Sequence, residues 1–196
     1  NEIKNNDSTK KVFYVTSEKF SMDYITSLQT NRINNFKEKY RKYDVLIMDD
    51  TQFLSNKEKT QEELFHLFNT LYENNKQIIF SSDQHPNYIP QLEDRLKSRF
   101  SAGMIIDVTQ PEYESRLAIL RSKTKLNNFL LQDDVIEHLA SSIQGNIREL
   151  EGVLNLVMCQ SQVKNRCITL NETKSLVKNN LKQKKSVSVK DVVKIV

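Results

Sequence analysis

Asp44-Val45-Leu46-Ile47-Met48-Asp49-Asp50 decides the fold class of this 196-residue chain. Four apolar residues in a row end abruptly on two adjacent carboxylates. A strand with one wet face would alternate in polarity, so an unbroken apolar run this short suits a strand covered on both sides, as in a parallel sheet. Upstream, Lys11-Val12-Phe13-Tyr14-Val15-Thr16 reads as another strand of aromatic and β-branched residues. Downstream, Gln77-Ile78-Ile79-Phe80 reads as a third and Met104-Ile105-Ile106-Asp107-Val108 as a fourth. Helical patterns lie between them. Ser17, in the N-cap position, precedes Phe20, Met22, Ile25 and Leu28 at near-helical spacing. Residues 33–43 give a second helical piece, and residues 57–72 a third with Leu64, Phe65, Leu67, Phe68 and Leu71 in one stripe. A turn containing Pro86 and Pro90 leads into a short charged helix over 92–100. Strands alternating with helices predict an α/β domain built on a parallel sheet.

Three strands end in polar residues at the same point of the pattern: Thr16-Ser17, Asp49-Asp50 and Ser82-Asp83. Ligands of open α/β sheets sit beyond the carboxyl ends of the strands, so these ends are expected to border one site. After Pro111 the pattern becomes wholly helical, through Leu117 and Leu120, then Val135 to Ile143, then Ile147 to Val157. That stretch reads as a separate helical subdomain.

Composition narrows the classes. With 38% apolar and 28% charged residues the chain is a folded domain rather than a disordered tail. It has no uncharged apolar run of about 18 residues and no apolar stretch near Asn1, so neither a spanning helix nor a signal peptide is written in it, and the cytoplasm is the expected location. Cys159 and Cys167 form no CxxC pair, which leaves no zinc knuckle or disulfide framework. The three glycines, Gly103, Gly145 and Gly152, cannot make a GxxxxGK[ST] phosphate loop. Net charge is +4, yet residues 173–190 hold six lysines and no acid, so the remainder carries −2.

Two adjacent carboxylates at a strand end suit a magnesium-linked acid followed by a water-activating acid, because hard cations take carboxylate oxygens and phosphoryl transfer needs an oriented nucleophile. The plain alternative is an Asp-Asp turn after a buried strand. Asp83, read singly, caps a turn. Arg95 and Arg99 stand four apart on one helical face, fit either for reaching a phosphate across a subunit boundary or for local acid pairs. Arg148 opens a helix whose start favours anions, with an ion pair to Glu151 as the alternative. His66, His85 and His138 share no metal-ligand spacing.

The order of these signals is more specific than any one of them. Tyr14-Val15-Thr16-Ser17-Glu18-Lys19-Phe20, the segment from Asp44 to Phe53, Thr60-Gln61-Glu62-Glu63-Leu64-Phe65-His66, residues 93–100 and Asn146-Ile147-Arg148-Glu149-Leu150-Glu151-Gly152 together resemble the DnaA family of bacterial chromosomal replication initiators. The resemblance spans about residues 10–196. It implies an AAA+ core, a parallel sheet flanked by helices, over residues 1–110, and a helical lid subdomain over 111–181. Residues 182–196 would be a linker and the start of a helix-turn-helix DNA-binding domain.

ATP and Mg2+ are the implied cofactors. By position, Asp49 matches the magnesium-linked acid, Asp50 the acid that assists water attack, Asp83 sensor 1 and Arg148 sensor 2. Arg99 matches the arginine finger that contacts ATP on a neighbouring protomer, with Arg95 supporting it at the same nucleotide. The helices over 17–40 match the initiator-specific insertion that faces single-stranded DNA. Ile25, Lys57 and Lys59 fall where the family contacts DNA, Lys59 at a position where arginine is common. Implied partners are origin DNA as duplex and single strand, further copies of the chain in a filament, and a replicative helicase.

One departure is large. The family's GxxGxGKT loop precedes the strand at Val12 and is absent from this chain, together with the first parallel strand, which belongs inside the sheet. The expectation is an internal fragment of a slow ATPase, inactive by itself. A regulatory paralogue of the initiator and a helicase loader share the same core. Both end after the lid, whereas this chain continues through 182–196, which favours the initiator.

Overall fold

The computed structural model describes residues 7–185 together with Ile3 and Asn5, with side chains as far as residue 179. The expected opening helix of a DNA-binding domain, residues 187–196, lies outside the described residues. Contacts divide the chain into two compact units, one to Ile106 and one from Asp107.

The first unit is α/β, as its sequence pattern predicts. Strands β1 (Val12–Thr16), β2 (Val45–Asp49) and β3 (Gln77–Phe80) form a parallel sheet in the order β1-β2-β3. The register sets Tyr14 beside Ile47 and Ile47 beside Ile79, and it sets Thr16 beside Asp49. Side chains alternate across a strand, so the sheet has two faces. Val15, Leu46 and Met48 point to one face and are buried with Phe20, Phe36, Tyr40, Leu64, Leu67 and Leu71. Those residues come from α1 (Ser17–Gln29), α2 (Ile33–Arg41) and α3 (Glu58–Glu73). At Phe20, Phe36 and Tyr40 the rings meet edge-on or tilted, with centroids 4.8–5.3 Å apart. Truncating a buried residue such as Leu46 to alanine would cost about 2–5 kcal/mol, from lost transfer energy and the cavity left behind. The opposite face is less evenly covered: Tyr14 is 57% and Ile79 38% exposed, while Val45 is buried.

The fourth expected strand is not formed. Residues 104–108 make no strand, and Met104, Ile106 and Val108 are largely exposed. A strand exists only where its N–H and C=O groups have a ladder to join, and no described strand lies beyond the outer edge of β3. β-Branched composition alone cannot supply that partner. The cap of α1 also lies one residue earlier than expected, since Thr16 Oγ1 accepts the Lys19 N–H at 3.2 Å. The charged helix, α4, spans Asp94–Ser101.

The second unit holds α5 (Tyr113–Leu126), α6 (Asp133–Ser142), α7 (Ile147–Lys164) and α8 (Leu170–Lys185). Its core gathers Leu120, Val135, Leu139, Ile143, Leu150, Leu154, Val157, Ile168 and Val177. Arg116 is buried inside it: Nε donates to the Ala140 carbonyl at 2.7 Å and an Nη donates to the Pro111 carbonyl at 2.7 Å. The lysine-rich residues 182–185, expected to be a linker, are helical and continue α8.

None of the glycines has a positive φ; that conformation is taken by Asn31, Asn75, Asn128 and Asn165 just past the ends of α1, α3, α5 and α7. At each end the following N–H closes back on the last turn: Arg32 on Ser27, Lys76 on Leu71, Phe129 on Thr124 and Arg166 on Ser161, at 2.7–3.3 Å. This is the Schellman stop, built with asparagine because that side chain tolerates the left-handed region nearly as well as glycine.

Candidate functional site

The end of β2 is where polar groups from three strands meet. Asp49 stands beside Thr16 in the ladder. Tyr14, two residues before Thr16 on the same face, reaches diagonally and donates its hydroxyl to Asp49 Oδ2 at 2.5 Å. Asp49 Oδ1 accepts from the Ser81 hydroxyl and from the Asp50 N–H, the latter at 3.1 Å. The hydrogen bond to Asp49, with smaller contributions from desolvation and from the charges of Asp49 and Asp50, raises the Tyr14 hydroxyl above the ordinary phenol value. Tyr14 therefore stays a donor at any physiological pH.

Asp50 has φ 59 and ψ 49, the left-handed region. A side-chain-bearing residue there carries a conformational cost, which the surroundings must hold in place. Three neighbours do so. Ser17 Oγ donates to the Asp50 carbonyl at 2.6 Å, Gln52 Nε2 donates to Asp50 Oδ1 at 2.9 Å, and Thr51 donates both its N–H and its hydroxyl to the Ser81 carbonyl. Ser17, expected as a helix cap, thus locks the carboxylate turn. Gln52 Oε1 is buried with no hydrogen-bond partner among the described residues.

The strand-end residues singled out in the sequence fare differently. Asp49 and Asp50 lie in this network with Ser17. Asp83 is exposed in the bend after β3, and its side chain makes no hydrogen bond among the described residues. Tyr14, Ser81 and Gln52 were not legible as site residues, since an exposed tyrosine and a serine carry no spacing signal.

On α4, Arg95 pairs with Glu93, and Lys97 with Asp94 at 3.1 Å. Arg99 pairs with no acid among the described residues. Its guanidinium lies 5.8 Å from the ring centroids of both Phe65 and Phe68, and that of Arg95 lies 4.8 Å from Phe65. Two cations thus rest on an aromatic shelf of α3. Ile25 is half exposed on α1, which packs on the Thr51–Leu54 turn, while Lys57 and Lys59 begin α3 just after that turn.

In the second unit Arg148 is exposed in the first turn of α7, whose cap is Asn146 accepting the Glu149 N–H at 2.8 Å. The alternative pairing with Glu151 does not form: Glu151 binds Lys123 at 2.7 Å.

Among the described residues no group of three or more His, Cys, Asp or Glu could cage a metal. A single carboxylate beside a serine hydroxyl nonetheless suits magnesium. That ion keeps several waters and takes one or two carboxylates plus phosphate oxygens rather than an all-protein cage. Asp49 fits that part. No helix among the described residues is long and apolar enough to cross a membrane.

Comparison with known proteins places the sequence and the fold. The sequence model of the family described as the bacterial DnaA ATPase domain matches residues 1–107. Domain III of the Thermotoga maritima replication initiation protein DnaA is 34% identical, with a TM-score of 0.87 over 90% of this chain and 74% of that one. A structure of the replication initiator DnaA bound to AMPPCP and single-stranded DNA is 37% identical, with a TM-score of 0.72 over 79% of this chain and 48% of that one. This chain therefore spans about half the length of that relative. The Thermotoga maritima RuvB Holliday junction branch migration motor, 15% identical with a TM-score of 0.60 over 86% of this chain and 52% of that one, shares the fold alone. A parallel sheet ending on Asp49-Asp50, the match over residues 1–107 and a relative above 30% identity lead to one assignment: the chain belongs to the bacterial DnaA family of replication initiators.

Proposed function

We propose that this chain is the ATPase core and lid of an initiator that assembles on origin DNA in its ATP-bound state, opens the duplex and is reset by slow hydrolysis. The observation that carries the reading is the Asp49-Asp50 turn, where one carboxylate is held by Tyr14 and Ser81 and the next is kept in a left-handed backbone.

Bound ATP with Mg2+ would supply the phosphoryl group and its charge neutralisation. Asp49 would hold the ion, and Asp50 would orient water and take its proton. Asp83 and Arg148 would sense the γ-phosphate, and Arg99, with Arg95 beside it, would reach the triphosphate of the next protomer. ATP would then act as a switch, since one phosphate would bind groups from two protomers. Ile25, Lys57 and Lys59 would meet single-stranded DNA, and the lysines from 174 on would add a salt-dependent attraction to duplex. The phosphate cradle itself is not among this chain's residues.

The test uses the intact initiator. Arg99→Ala should leave ATP affinity within about twofold while abolishing ATP-dependent assembly on origin DNA, measured by fluorescence anisotropy and electron microscopy. Arg148→Ala should erase the preference for ATP over ADP. Unchanged assembly in the first and an unchanged preference in the second would remove this reading and favour a regulatory paralogue.

A further inference from the structure

One fully buried amide stands between the carboxylate turn and the arginine helix. Gln61, on the first turns of α3, is 0% exposed. Its Nε2 donates to the Leu54 carbonyl at 2.9 Å, at the end of the turn that starts after Asp50. The same nitrogen donates to the Gln91 carbonyl at 3.0 Å, and its Oε1 accepts the Glu93 N–H at 2.8 Å. Gln91 is itself in the left-handed region, with φ 55, and Glu93 is the residue at which α4 begins. A second strap joins the same two segments, since Ser55 Oγ donates to the Pro90 carbonyl at 2.7 Å.

Both donors and the acceptor of this side chain are spent on backbone groups of two different loops. An apolar side chain of the same volume would leave the Gln91 carbonyl and the Glu93 N–H without these bonds, so the amide contributes to stability. The amide also adds direction, because its three bonds fix where α4 starts relative to the turn after Asp50. One turn further along α3, Phe65 lies beneath Arg95 and Arg99. The neighbouring turns of α3 therefore present first a clamp for the start of α4 and then a shelf for its guanidiniums.

We propose that Gln61 and Phe65 are positioning residues for Arg99, Gln61 by setting the start of its helix and Phe65 by holding its guanidinium in one orientation. The consequence for assembly rests on the arginine-finger reading above; the positioning itself does not. Among the described residues Arg99 has no acid partner that would hold it otherwise, and a long side chain left free would lose rotamer entropy on reaching a neighbour. Holding it beforehand removes that cost.

The experiment has two arms. In the full chain, NMR should find the Arg99 side-chain protons shifted upfield by the Phe65 and Phe68 rings. Gln61→Met, close in volume but without the amide, should move them toward exposed-arginine values while the Phe20 and Tyr40 resonances stay in place. Phe65→Leu should do the same with the amide clamp intact, and Phe65→Trp should restore the shift. In the intact initiator, Gln61→Met and Phe65→Leu should weaken ATP-dependent assembly about tenfold, with ATP affinity of the single protomer within about twofold. Phe65→Trp should restore assembly.

Arg99 protons that do not move in folded Gln61→Met or Phe65→Leu would overturn the positioning. So would equal losses in ATP affinity and assembly, which mark a general structural role. If Gln61→Met does not fold, the Phe65 pair decides. Arg99→Ala with normal assembly would remove the finger reading, and the ring shifts would still judge the positioning.

Discussion

The Tyr14 hydroxyl donates to Asp49 across the first two strands of the sheet, so the carboxylate proposed to hold magnesium is tied down by a residue that is mostly exposed. The position of the bond carries a test at high pH. Tyr14 is raised by its bond to Asp49, Tyr24 by burial first and then by Glu63 and Glu62, and Tyr40 strongly by burial and by Asp23. A raised folded-state value means a contribution fully present below the ordinary value of 10.0 and lost as pH climbs through the folded one. Absorbance titration at the phenolate band should therefore show Tyr14, Tyr24 and Tyr40 ionising above the ordinary value. Tyr14→Phe should remove one of these late steps and leave the other two; an unchanged set of late steps would contradict the bond.

Asp50 offers a separation of charge from backbone. Asparagine also visits the left-handed region, so Asp50→Asn should change stability by less than about 0.5 kcal/mol in urea denaturation. Asp50→Ala should cost about 1–2 kcal/mol, because alanine pays the conformational penalty and also loses the Gln52 contact. Equal stability of the two variants would show that the backbone at 50 carries no strain.

Arg116 should be intolerant of change. Burying a guanidinium is tolerable here because two carbonyls accept from it at 2.7 Å, and its removal leaves both unpaired. Arg116→Ala should destabilise the second unit by about 3 kcal/mol, and Arg116→Lys should recover little, since one ammonium cannot fork to both carbonyls. Thermal melts followed by circular dichroism would measure both.

Glu172 governs the acid side. Bonds from the Arg166 guanidinium first, then from Lys164 and Thr169, hold its carboxyl far below the ordinary value of 4.5. A depressed folded-state value contributes stability that is present above 4.5 and is lost as pH falls toward the folded one. Glu172→Gln should therefore melt below the parent at pH 6, with the gap narrowing progressively as pH falls below 4.5. A constant offset across that range would rule out the linkage.

The sequence revealed the parallel sheet and the Asp49-Asp50 turn because an apolar run stopped by carboxylates is a local pattern, readable residue by residue. It could not reveal that residues 104–108 remain unpaired, since a ladder depends on a partner far away in the chain. Nor could it place Ser17, whose hydroxyl serves Asp50 rather than its own helix, because that choice is made by two loops meeting in space. Arg148 and Glu151 were equally able to pair by spacing; Lys123, on another helix, decided against it. Gln61 lay inside a motif that marked the family, but its three backbone partners come from residues 7 to 32 positions away.

The asparagine-stopped helices have a practical consequence for anyone handling this domain. Each of Asn31, Asn75, Asn128 and Asn165 already occupies the geometry that glycine adopts without penalty, and all four lie apart from the Asp49-Asp50 turn in sequence. Replacing them with glycine should add increments of about 0.5 kcal/mol or less apiece that sum where the sites do not touch. A heat-tolerant version could then be built with every carboxylate, hydroxyl and guanidinium of the proposed chemistry left as it is.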